Sequence, residues 1–320
     1  MAEVSKQAVD IAPVEIAPGV FQLDLNFQGE PGVIAAYLFA DRPDATLIET
    51  GPTSTVETLL AGVRAAGVEP ERITQLVVTH IHLDHAGASG SLLRRLPRAR
   101  LFVHPAGAKH MIDPSKLMAS ASRIYGDRMD ALWGEMVPVP ADRLVVLQDG
   151  DTVRTGRRTL TALATPGHAR HHHAYHEPEG ALVFTGDMAG VRLGGSSLIR
   201  PPTPPPDIDL DAWLASVARL RALRPRRLYL THFGGYAEPE AHFDRLIAQL
   251  FDWAGWTEAQ LEREPDTTKV AAALARKGDA EITAAGVEPL TRAYELASPY
   301  QMGVDGYARW LQKRNQGGAS

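Results

Sequence analysis

The sequence predicts an α/β (α+β) domain over residues 1–235 followed by a helical extension over residues 236–320. Three observations lead there. Short apolar runs rich in β-branched residues recur through the first part of the chain and stop at Gly, Asp or His. Segments with apolar residues at helical spacing lie between them. Past Gly235 strand-like runs give out, and Phe243, Leu246, Ile247, Leu250 and Phe251 follow i, i+3, i+4, i+7, i+8 spacing.

Taken in order, residues 1 to about 16 read as an extended arm, because Pro13 and Pro18 discourage helix. Runs at 20–25, 33–39 and 45–48, separated by Gly and Pro turns, read as adjacent strands of one sheet. The third ends at Glu49-Thr50-Gly51. Ser54-Thr55-Val56-Glu57 then forms a capping-box pattern that opens a helix to about Ala66, closed by Gly67. The run at 73–78 is β-branched and short, which fits a buried strand. A helix containing Leu92, Leu93 and Leu96 and a strand over 100–103 follow. Residues 113–137 carry Met and aromatic side chains in mixed helical spacing, suited to a substrate-facing wall or a satellite core. Strands resume at 144–147, 160–164 and 181–184, and 228–230 reads as the last. Between them, Asp209 opens an amphipathic helix with Trp213, Leu214, Val217 and Leu220 on one face. The proline-dense block 200–207 is stiff and extended. It is expected either to rim a cleft, with Arg192 and Arg200 offering charge to an anionic substrate, or to form a surface connector with solvated arginines. Trp253 and Trp256 fit an interface as readily as a core, so a homodimer stays open.

Composition excludes several classes. Lys and Arg total 33 against 38 Asp and Glu, a net charge of −5, which gives no basic stripe for nucleic acid. There is no cysteine, so any metal must be held by His, Asp, Glu or solvent. The amino terminus has no charged-then-apolar signal pattern, and no apolar window is long enough to span a bilayer. The expectation is a cytoplasmic protein with a small-molecule substrate and no membrane partner.

The chemistry concentrates at Thr79-His80-Ile81-His82-Leu83-Asp84-His85-Ala86-Gly87, directly after the 73–78 strand. Alternate residues of an extended segment point the same way. His80 and His82 can therefore converge on one metal while Asp84 and His85, past the turn, reach a neighbouring point. Imidazole with carboxylate suits Zn²⁺, Fe or Mn²⁺ at a site with open positions. Three more strand ends deliver His168 after Pro166-Gly167, Asp187 after Thr185-Gly186, and His232 after Thr231. The two oxygens of Asp187 are free to bridge two cations. His104 and His110 read as packed or hydrogen-bonded, and His173 and His176 are compatible with hydrated surface.

The pattern His80-x-His82-x-Asp84-His85, then His168, Asp187 and His232, resembles the metallo-β-lactamase superfamily. The resemblance implies a four-layer αββα sandwich with a metal site at the edge of its two sheets, here with a helical carboxy-terminal extension as in the glyoxalase II branch. It assigns His80, His82 and His168 to one metal, Asp84, His85 and His232 to a second, and Asp187 to both. Glu49 stands where the family usually has the acid of Asp-Thr-Gly, implying a hydrogen bond to the metal-binding region from a side chain one methylene longer. It also places His172 behind the ligands, and His171 at a position often filled by glycine. The flavodiiron branch replaces the second histidine with glutamate, and class B β-lactamases generally lack the bridging aspartate. The function implied is a dinuclear zinc hydrolase, two Zn²⁺ per chain with Fe or Mn as alternatives. A metal-activated hydroxide would attack a small lactone, thioester or other ester, with Asp84 as the catalytic residue that orients the water. The alternatives are a mononuclear iron enzyme resembling the persulfide dioxygenases, and a phosphodiesterase. A non-enzymatic metal module fits worst, because a structural site saturates its metal with protein ligands.

Overall fold

The structure, a computed structural model, describes residues 12–317. In chain order its first part contains β1 Val14–Ala17, β2 Val20–Asp24, β3 Ala35–Phe39, β4 Ala45–Ile48, α1 Val56–Ala65, β5 Ile73–Val77, α2 Leu83–Ala86, α3 Ser89–Arg95, β6 Arg100–Val103, α4 Pro105–Ile112, α5 Ser115–Tyr125, α6 Met129–Leu132 and β7 Leu144–Val146. These strands form one seven-stranded sheet in sequence order. The second part contains β8 Thr152–Thr155, β9 Arg158–Ala164, β10 His173–Glu177, β11 Leu182–Gly186, α7 Leu210–Ala222, β12 Arg227–Leu230 and β13 Gly234–Tyr236. Its six strands run β13-β12-β11-β10-β9-β8. The rest of the described chain is helical: α8 Pro239–Leu261, α9 Thr267–Ala284, α10 Thr291–Ala297 and α11 Tyr300–Gly317.

Strand alternation builds the layers. In β3, Ala35, Tyr37 and Phe39 face the second sheet, where Tyr37 and Phe39 meet Phe184 edge-on at 5.0 and 5.5 Å between ring centroids. Ala36 and Leu38 face outward onto Leu59, Leu60 and Val63 of α1. The second sheet repeats the arrangement, with Leu182 and Phe184 inward and Val183 outward against Trp213, Val217 and Leu220 of α7. The result is the αββα sandwich, helix on sheet on sheet on helix. Phe243, Leu246 and Leu250 of α8 join the same outer cluster as α7, and Ala293, Tyr294 and Ala297 of α10 join the cluster outside the first sheet. Among the described residues no helix is long and apolar enough to cross a membrane.

Several expectations change. The amino-terminal arm lies outside the described residues up to residue 11, and its remainder is β1, paired with β2. The capping box does not form: Ser54 Oγ donates to Leu132 O at 2.6 Å and Glu57 pairs with Arg95. Strands β8, β10 and β13 were not expected from the sequence, and β13 follows the strand read as last. Trp253 is 2% exposed and belongs to the core.

The two arginines of the proline region serve neither expected role, since Arg192 and Arg200 are both buried. The Arg200 guanidinium lies 4.1 Å from the Tyr300 ring centroid and 5.1 Å from that of Tyr294, and Nη1 donates to Ser298 O at 3.1 Å. Arg192 lies 3.9 Å from the Tyr236 ring centroid and pairs with Glu238 at 2.8 Å. Arg200 therefore ties the proline block to the terminal helices. Replacing it with Ala removes the cation and leaves the Tyr300 hydroxyl and the Ser298 carbonyl without it. Arg200→Ala is expected to lower stability by roughly 2–4 kcal/mol in urea unfolding; an unchanged midpoint would remove this role.

Candidate metal centre

Parallel pairing brings the strand ends together. β4 and β5 run parallel, as do β11 and β12, so Glu49 and the 80–85 stretch share one edge with Asp187 and His232. His168 arrives from the end of β9. All seven residues expected at the site meet there, in three overlapping groups: His80, His82 and His168; His80, His85 and Asp187; Asp84, His85 and His232. Within each group the ligand atoms lie within 4.8 Å of one another.

Hydrogen bonds behind four of the imidazoles, His80, His85, His168 and His232, fix their tautomers. His168 Nδ1 lies 2.8 Å from Pro202 O and His232 Nδ1 lies 2.7 Å from Val33 O. A carbonyl only accepts, so both Nδ1 atoms donate and both Nε2 atoms turn lone pairs inward when the rings are neutral. His80 Nδ1 lies 3.0 Å from Thr79 Oγ1, whose own hydrogen is committed to Glu49 Oε1 at 2.6 Å. His80 Nδ1 is therefore the donor, and its Nε2 also presents a lone pair. His85 Nδ1 donates to Glu49 Oε1 at 2.9 Å.

What converges is thus a set of electron pairs. His82 Nδ1 lies 2.9 Å from His80 Nε2 and 3.0 Å from His168 Nε2, and one ring proton cannot satisfy both. Asp187 Oδ2 lies 3.3 Å from His168 Nε2, whereas its Oδ1 lies 3.2 Å from His85 Nε2 and 3.6 Å from His232 Nε2. Asp84 Oδ2 lies 3.3 Å from His232 Nε2. His85 Nε2, His232 Nε2 and Asp187 Oδ1 are buried without a hydrogen-bond partner. Buried polar atoms left this way are costly. Divalent cations fit the donor set, and the split of Asp187 between the two histidine groups fits a pair of them.

Electrostatics differ between the groups. Burial, reinforced by His168, pushes the His82 pKa down to about 3, and burial also holds His80 and His168 low. Burial opposes charge on His85 and His232 too, but Asp187 and Asp84 override it and raise both. Against its own burial, the His85 and His232 imidazoles pull Asp84 down to about 2.

Glu49 does what its position implied. Fully buried, it accepts from His85, Thr79 and Thr231, and it holds a left-handed backbone, φ 66°. For a non-glycine residue this conformation is strained and needs support from its surroundings. His172 sits behind the turn that carries Asp187: its Nε2 accepts from Asp187 N at 3.2 Å and its Nδ1 faces Thr165 Oγ1 at 2.8 Å. Gly186 makes that approach possible, since a Cβ there would stand 2.5 Å from His172 Nε2. Thr79, Thr165 and Thr231 carry roles that the sequence alone does not assign; the available signal was a threonine at three of the strand ends that deliver the histidines.

The remaining histidines separate. His171 is buried beside the cluster, its ring centroid 5.5 Å from that of His82. His173, compatible with surface in the sequence, is fully buried in β10 with its ring centroid 4.6 Å from that of His104, while His176 is half-buried. His104 caps α4 by accepting from Ala106 N at 3.0 Å. His110 lines the cavity, of about 240 Å³, that opens over His82, Asp84, His168 and Asp187. Its walls come from α5, from the proline block and from the junction of α10 with α11.

A two-sheet sandwich with histidines and aspartates gathered at a shared sheet edge defines a metal-site fold. The sequence profile of the metallo-beta-lactamase superfamily matches residues 29–232, and the chain belongs to that superfamily. It is 28% identical over 185 residues to a metallo-beta-lactamase fold-containing protein of Sulfurisphaera tokodaii, covering 56% of this chain and 68% of the relative. It is 30% identical over 157 residues to a hydroxyacylglutathione hydrolase of Fuscovulum blasticum, covering 49% of this chain and 47% of that enzyme. A hydroxyacylglutathione hydrolase of Synechococcus is 29% identical over 197 residues, with 61% and 62% covered. The chain thus spans about half to two thirds of the length of these hydrolases. A metallo-beta-lactamase family protein of Thermus thermophilus has the same fold over 94% of this chain and 95% of its own, with a TM-score of 0.69 at 19% identity.

Metal uptake should be linked to protons. In the metal-free protein the carboxylates of Asp187 and Asp84 raise the pKa of His85 and His232 above the ordinary imidazole value, whereas burial lowers those of His80, His82 and His168. Ligation requires the lone pair, so filling the Asp84, His85 and His232 group releases protons and tightens as pH rises. Calorimetric titration with Zn²⁺ in buffers of different ionisation enthalpy reads this directly; zero release at pH 6 would contradict the assignment. Glu49→Gln is expected to weaken metal affinity roughly 10- to 100-fold, measured by competition with a chelator.

Proposed function

We propose that this chain is a dinuclear metal-dependent hydrolase acting on a small carboxylic ester, thioester or lactone. The observation that carries the reading is Asp187, whose two oxygens face two separate histidine groups. His80, His82 and His168 would hold one cation, Asp84, His85 and His232 the other, and Asp187 both. Zn²⁺ suits this nitrogen and oxygen set, as do Fe and Mn²⁺. When bound, such ions supply Lewis-acid polarisation and bring the pKa of water toward neutrality.

The protein's own contribution is position and proton handling. Asp84 lines the cavity with its side chain 20% exposed. Its carboxylate can accept a hydrogen bond from water on the cavity side and so aim the water oxygen at the substrate carbonyl. In the overall reaction that oxygen bonds to the carbonyl carbon and the C–O or C–S bond breaks. One water proton goes to the departing alkoxide or thiolate, and the other leaves the carboxylic acid product. Burial lowers the pKa of His80, His82 and His168 and so disfavours their imidazolium forms, which favours a lone pair on the ring nitrogen turned toward the site. Similarity to hydroxyacylglutathione hydrolases supports the thioester member of the substrate set.

Asp187→Ala is expected to abolish tight binding of a second metal. It should also lower kcat/KM on responsive thioesters or lactones by at least about 100-fold, since it removes a ligand and not only its support. Full activity of this variant with one metal per chain would overturn the dinuclear reading.

A further inference from the structure

The cavity over the cluster is charged at its floor and apolar along its side. Asp84, Asp187, His82 and His168 form the floor. Away from it stand Leu117, Ile124, Tyr125, Trp133, Leu296 and Met302. Leu117 and Ile124, two turns apart, lie on one face of α5 together with Ala121. Ile124 is 44% exposed, and Leu117, Tyr125, Leu296 and Met302 are half-buried. Leu117, Tyr125 and Leu296 pack on the first-sheet cluster, to which Trp133 belongs, with one side and face the cavity with the other. The lysine and arginine of the lining, Lys116 and Arg170, are exposed, and Arg170 already faces Asp207, which also lines the cavity, at 3.4 Å.

The apolar side is also fixed in place. Tyr125 Oη donates to Met302 Sδ at 3.1 Å, joining α5 to α11. The Trp133 ring stacks on Phe27 at 5.3 Å and meets Tyr125 edge-on at 5.1 Å. A held-open apolar wall next to a reactive floor keeps its hydration cost until a guest covers it. We propose that the site selects substrates whose acyl part is an apolar chain of several carbons, with the reacting carbonyl at the floor and the chain along the wall from α5 to α11. This rests on the hydrolase reading and adds the substrate class to it.

The test is calorimetric titration of zinc-loaded protein with linear alkyl carboxylates from acetate to decanoate, the acids such a reaction would release. Acetate reports what the floor alone offers a carboxylate, and each added methylene reports the wall. Affinity is expected to rise roughly two- to fourfold per methylene over part of the series. That rise should shrink in Leu117→Asp and in Ile124→Asp, with zinc content and circular dichroism confirming that each variant is folded. Equal affinity across the series overturns the proposal, as does a rise that both variants leave intact. Hydrolysis is read separately on matched acyl thioesters and esters. Turnover without chain-length dependence in either series overturns the acyl site and leaves the hydrolase reading; chain-dependent binding with no turnover overturns the hydrolase reading and leaves the acyl site as a binding property.

Discussion

Each imidazole whose tautomer is fixed at this centre spends its one N–H on an acceptor behind it: Pro202 O for His168, Val33 O for His232, Thr79 Oγ1 for His80, Glu49 for His85. The inward side is left with lone pairs and two carboxylates, and with too few donors to serve them. Such an arrangement is expensive in a buried place unless cations occupy it. Much of the local architecture follows from keeping it. Glu49 holds a strained backbone and accepts from three partners at once. Gly186 gives up a side chain so that His172 can grip the turn carrying Asp187.

This order was legible in the sequence where a strand announces itself by burial on both faces. The runs ending at Ile48, Val77 and Ala164 are short and largely apolar or β-branched, and each stops close to a residue used at the centre, Glu49, His80 and His168 respectively. β8, β10 and β13 carry no such signal. Thr152–Thr155 alternates weakly, His173–Glu177 reads as polar, and Gly234–Tyr236 is two glycines and a tyrosine. Their conformation comes from pairing with neighbours already in place, which is tertiary context. The capping box failed for the same kind of reason. Ser54 and Glu57 had better partners in Leu132 and Arg95, both far away in sequence.

The seven centre residues were readable because four separate strand ends carried them in family order. The arginines were not. Arg192 and Arg200 look like surface charge in a proline-rich stretch, but aromatic faces and carbonyls from α10, α11 and β13 accommodate them in the interior. The cavity was beyond the sequence altogether. Its walls draw on α5, the proline block and the terminal helices, segments separated by some of the longest intervals in the chain. Residues 113–137 announced a wall or a satellite core, and they supply both: Leu117 and Tyr125 pack against the first-sheet cluster with one side and line the cavity with the other.

The central claim is that this ligand set holds two cations, one on each side of Asp187. Elemental analysis of the protein purified without added metal, expressed per chain and paired with anomalous diffraction, tests it most directly. Two divalent ions, with Asp187 between them, are the expected result. A single iron per chain, with the Asp84, His85 and His232 side empty, would contradict it and move the weight to a mononuclear oxidative chemistry.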